Sequence, residues 1–153
     1  MNANVEMLNY IYKNAQMGQT SINHLLEIVK DHSHFRNLLE NQFTEYKMIF
    51  DTAEKSLNKL GCEAKGTSTI QKFETYMMID MKTLRDKTPD HVAEMLIQGS
   101  TMGVIQITRR LREYKDQVDT NVQKLAEKLL ATEQHNVEEC RKFLGKSFEM
   151  AHA

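Results

Sequence analysis

One proline, Pro89, stands in 153 residues, and glycine occupies only six positions, so very little in this chain obliges a helix to stop. The apolar residues use that freedom. Leu8, Ile11, Ala15, Gly18, Ile22, Leu25 and Val29 recur in alternating steps of three and four, which places them on one face of an α-helix over about 4–30. Phe35, Leu38, Leu39, Gln42, Tyr46, Ile49, Ala53, Leu57 and Leu60 carry a second stripe over 33–60, which Gly61 is placed to end. After a loop from Gly61 to Thr67, Ser68-Thr69-Ile70-Gln71 has the form of a capping box and opens a shorter helix over 68–86. Thr88-Pro89-Asp90 is the sharpest start signal: a Thr cap, Pro at the first helical position and an acidic first turn. From it run Ala93, Leu96, Ile97, Ser100, Val104, Ile107, Leu111, Tyr114 and Val118 over 89–117. Val122, Leu125, Leu129, Glu133, Asn136, Val137, Cys140 and Leu144 then follow over 119–145, with Gly145 as the stop.

The junctions near Asp31 and Asp119 hold neither Gly nor Pro. Two uninterrupted helices of nearly sixty residues would be far longer than ordinary, whereas four matched helices of about 40 Å each are not. The expectation is therefore that Asp31 or Ser33, and Asp119 or Thr120, cap new helices after chain reversals. The fold class that follows is all-α: an up-down four-helix bundle of two hairpins joined by a crossover that contains a shorter fifth helix, forming one domain over 1–153.

Twenty Lys and Arg against twenty-one Asp and Glu give no electrostatic footprint for nucleic acid or an anionic membrane, and neither is expected as a partner. No run approaches ~18 apolar residues, and Met1 to Glu6 lack the basic head and apolar run of a signal peptide, so a cytoplasmic location is expected. Cys62 and Cys140 form no CxxC pair, which argues against a thiolate metal site.

The second half of the chain aligns faintly on the first, residues 15–22 over 97–104 and Leu38-Leu39 over Leu129-Leu130, with Gln42 over Glu133. The layer about a dozen residues from the junction near Asp31 and about sixteen from that near Asp119 gives Gln19, Gln42, Thr101, Glu133 and Asn136 as a candidate midplane polar pocket. Its alternative reading is a hydrogen-bonded network that sets helix register. Burial there raises the pKa of Glu133 unless hydrogen bonds offset the desolvation. Gly18, Gly99 and Gly103 lie within about a turn of the layer and let helices approach, or admit large rings such as Phe43 and Tyr46.

The hairpin, crossover and hairpin order, with Leu38-Leu39-x-x-Gln42-x-x-Glu45-Tyr46 and Leu129-Leu130-x-x-Glu133-x-x-Asn136, resembles the ferritin and rubrerythrin superfamily over about residues 4–145. It is most similar to the small bacterial ferritin-like domains of unestablished activity. The resemblance implies a di-iron site built from a Glu on each of two helices and Glu-x-x-His on the other two. This sequence departs from that set. Asn136 stands where His belongs, Gln42 replaces a carboxylate, and the lone Glu133 cannot neutralise two iron ions. The expectation is no metal, no cofactor and no catalysis, with action through a protein partner or as a homo-oligomer. The alternative is a metal- or oxidant-handling protein using Glu133 with Glu45. His24-x-x-Glu27 and His91-x-x-Glu94 have ligand spacing but fall on polar faces, and His135 should face water. Met77, Met78, Met81, Met95 and Met102 are expected to fill the core.

Overall fold

The four long stripes fold as four helices in a computed structural model, which describes residues 2–64 and 86–145. They are α1 (Ala3–Ile28), α2 (Ser33–Lys59), α3 (Pro89–Glu113) and α4 (Thr120–Arg141). The fifth helix expected over 68–86 lies outside the described residues, except for Asp86, which is not helical. Met77, Met78 and Met81 lie outside them too.

The start of α3 follows the sequence closely: Thr88 Oγ1 accepts from the His91 N–H at 3.3 Å, and Pro89 takes the first turn, where its missing N–H leaves nothing unpaired. The other two internal starts differ from expectation. His32 is the N-cap of α2 and makes no side-chain cap bond; Asp31 precedes the cap position and Ser33 is already helical. Asp119 does occupy the N-cap of α4, yet its side chain makes no cap bond either. Its backbone N–H instead donates to Asn4 Oδ1 at 2.8 Å, tying the start of α4 to the first turn of α1. Thr88→Ala is therefore expected to lower stability by about 1 kcal/mol in denaturant unfolding, while Asp119→Ala changes it by only a few tenths of that.

The reversals form without Gly or Pro. Helix α3 ends four residues earlier than the stripe suggested, at Glu113, and Asp116 turns the chain from a left-handed φ of 63°, which a short polar side chain tolerates better than most. Gly61 and Gly145 take the positive φ values, 72° and 79°, that their places after α2 and α4 require.

Contacts between helices fix their directions. Along α1, Asn4, Glu6 and Tyr10 meet Asp119, Tyr114 and Gln106 in turn, so α1 and α3 are antiparallel. Along α2, Phe35 packs on Phe143 with ring centroids 4.7 Å apart and Tyr46 reaches Glu133, so α2 and α4 are antiparallel as well. With each hairpin reversing the chain, α2 and α3 must run parallel. The connection between them therefore joins opposite ends of a bundle that is about 40 Å long at 1.5 Å per helical residue.

The core is drawn from the expected faces: Leu8, Ile11, Ala15, Ile22 and Leu25 on α1, and Phe35, Leu39, Ile49, Ala53 and Leu57 on α2, all at most 1% exposed. Each large side chain among them contributes roughly 1.5–3 kcal/mol of apolar burial. Leu60 and Leu144, placed in the stripes by spacing, are exposed because they lie past the last packed turns. Met102, expected in the core, is 53% exposed and stands at the rim of a cleft that buried Ser100 also lines. Among the described residues no helix is long and apolar enough to cross a membrane.

Candidate functional site

Halfway along the bundle the apolar stripes of α2 and α4 give way to polar side chains that stay buried: Gln42 on α2, and Thr132, Glu133 and Asn136 on α4. Tyr46 joins them from the next turn of α2. Its hydroxyl donates to Glu133 Oε1 at 2.9 Å and accepts from Asn136 Nδ2 at 3.2 Å. Gln42 Nε2 donates to the Cys140 sulfur at 3.4 Å.

Two glycines shape the layer. A Cβ on Gly18 would lie 2.7 to 2.8 Å from three carbons of the Tyr46 ring, so α1 can pass over that ring only where it has no side chain. A Cβ on Gly103 would come within 3.0 Å of the Glu133 carboxyl carbon. Gly99 differs from both, since a Cβ there meets nothing within 4 Å. It gives up about 1 kcal/mol of helix propensity relative to alanine with no packing contact in return.

The glycines line a cleft of about 360 Å³ between α1 and α3. Ile22, Leu25, Met17 and Met95 form apolar walls, and Glu133, Tyr46 and Ser100 also line it. Glu133 is 7% exposed, and its Oε2 is buried with no hydrogen-bond partner. Burial holds the Glu133 carboxyl above the ordinary carboxylate range, with the Ser100 and Tyr46 hydroxyls working against that rise. Burial and then the neighbouring carboxylate push the Tyr46 phenol far above its usual value. Burial also pushes the Cys140 thiol up to about 11, which leaves it protonated and unreactive at neutral pH.

Of the five residues chosen from the sequence, Gln42, Glu133 and Asn136 come together as one buried layer. Thr101 is exposed and Gln19 is half-buried; neither lines the cleft. Ser100 takes the place assigned to Thr101, and Tyr46, absent from the chosen set, is the hub. Both stand in the apolar stripes of the sequence, so helical spacing carries a signal that distance from the helix junctions does not.

A second groove, of about 400 Å³, lies between α2 and α4 and takes in the far side of the layer through Gln42 and Asn136. Glu45, His135 and Glu139 line it. Glu45 thus opens on a different side of the bundle from Glu133, and the two do not meet on one ion. Among the described residues no group of three His, Cys, Asp or Glu is placed to hold a metal. His91 lies 3.8 Å from Glu94 at the surface, and His135 is exposed. The chain matches no family model, no curated protein and no solved structure.

Proposed function

We propose that this chain is a non-enzymatic binding protein, a bundle of ferritin-like order without a di-iron centre, that receives a small ligand in the cleft between α1 and α3. One observation carries the reading: Glu133, a buried carboxyl with an unpartnered oxygen, is among the residues lining a cleft of about 360 Å³ whose rim is open at exposed Gly99. The parallel course of α2 and α3 supports the ferritin-like order, since one long crossover is what that order requires. The departure at Gln42 and Asn136 supports a site that has lost iron and kept its polar layer.

Ligand-observed NMR against a fragment library tests the proposal. Fragments that bind should compete with one another and lose binding in Gly99→Phe, which adds a bulky ring at the exposed rim of the cleft. Reconstitution with ferrous ion is the opposing arm: uptake of roughly two irons per chain with oxidase activity would restore the metal-handling alternative and overturn this reading.

Self-association is a second reading, supported by Met102 and Ile105, which stand three residues apart on α3 and are 53% and 41% exposed. Light scattering of wild type and a Met102→Lys, Ile105→Lys variant tests it.

A further inference from the structure

The geometry points to an amphipathic primary amine as the ligand class of the α1/α3 cleft, its ammonium head at the Glu133 carboxyl and its apolar body along Met17, Ile22, Leu25, Met95 and Met102. This rests on the cleft being a binding site, and it adds what that site would select.

The head group follows from the floor of the cleft. Glu133 Oε1 already accepts from the Tyr46 hydroxyl and the Ser100 hydroxyl also favours the charged carboxyl, whereas Oε2 makes no hydrogen bond and lies just beneath the cleft surface, so that a turn of the carboxyl presents it to a ligand. That second oxygen lacks a donor. Tyr46 cannot supply a second one, because its single proton is committed to Oε1, and Asn136 already donates to the Tyr46 oxygen. An N–H group on a ligand completes the set, and a cation does so with a charge-assisted bond. An anionic head would face the Glu133 carboxyl, and an apolar head would leave Oε2 as it stands.

The body follows from the walls. Leucine, isoleucine and methionine side chains line the way to the carboxyl, and methionine adapts to an unbranched chain because its own side chain is unbranched and polarizable. Gly99 leaves open space beside this path. Gly18 and Gly103 are filled by the Tyr46 ring and the Glu133 carboxyl, so they set the floor rather than add room.

Titration calorimetry with n-octylammonium, n-octanol and octanoate, each below its aggregation concentration, separates head from body. The expected result is saturable binding of octylammonium at one site per chain, weaker binding of octanol and none of octanoate. Glu133→Gln, which keeps shape and removes charge, should weaken octylammonium by about tenfold or more while leaving octanol little changed. Gly99→Phe should abolish both. Equal binding of octanol and octylammonium, lost in Gly99→Phe, would overturn the amine assignment and leave the cleft as an apolar site. Binding of neither compound, or binding untouched by Gly99→Phe, would overturn both.

Discussion

Gly18→Ala is expected to lower stability by about 1–3 kcal/mol, although alanine is the better helix former by about 1 kcal/mol. The added methyl would sit against the body of the Tyr46 ring, not against a mobile chain end. The ring has little room to yield: Tyr46 is buried, and its hydroxyl is held by Glu133 on one side and Asn136 on the other. Displacing it strains those bonds, and each buried group left unpaired adds about 1–3 kcal/mol. Denaturant unfolding of a double-mutant cycle isolates the cause. In a Tyr46→Leu background the obstruction is gone, and Gly18→Ala should become neutral or stabilising. A stabilising Gly18→Ala in the wild type would show that the ring does not fill this space.

The second large effect concerns the charge on Glu133. Its folded-state pKa lies above the unfolded value, so the native state binds the proton more tightly. The stability this contributes is complete at acid pH below the ordinary carboxylate range, and it is lost as pH rises through the raised folded value. Glu133→Gln removes that term. Its stability relative to wild type should therefore climb with pH across the same window, and at neutral pH the substitution should cost less than about 1 kcal/mol or be favourable. Glu133→Lys places a cation in a layer with no described carboxylate to meet it and should cost more than about 3 kcal/mol. Urea midpoints of the three proteins from pH 4 to 8 measure the slope. If Glu133→Gln lost more than about 2 kcal/mol at neutral pH, the carboxylate would be ionised and paired with a cation.

How far the sequence could be read depends on which physical signal each feature left. Helical spacing repeats over many turns, and it placed nearly every core residue of α1 and α2 because burial on one face is enforced at each turn. The caps were harder. Asp31, Ser33 and Asp119 are all good capping residues by type, yet neither reversal uses a side-chain cap bond, and at Asp119 the backbone N–H donates to Asn4 instead. Moving the boundary by one residue removes a side chain from the cap position, and composition does not register so small a shift. Within the polar layer, Gln42, Glu133 and Asn136 were legible as polar residues interrupting apolar stripes. Counting residues from the junction near Asp119 gives Thr101 rather than Ser100, and an error of one residue turns the side chain by about 100°. Tyr46 was passed over because a tyrosine on an apolar stripe reads as core, and its role as hub depends on where Glu133 and Asn136 lie in α4, 87 and 90 residues further along the chain.

That separation has a consequence for how the chain assembles. The contacts of each hairpin are closer in sequence and cost less loop closure, whereas the bonds of the polar layer join residues 87 to 98 positions apart and form only when the two hairpins meet. Before docking, Glu133 and Tyr46 remain hydrated. A register that buries the Glu133 carboxyl without the Tyr46 hydroxyl costs more than the native one, so the pair favours a single alignment of the two hairpins.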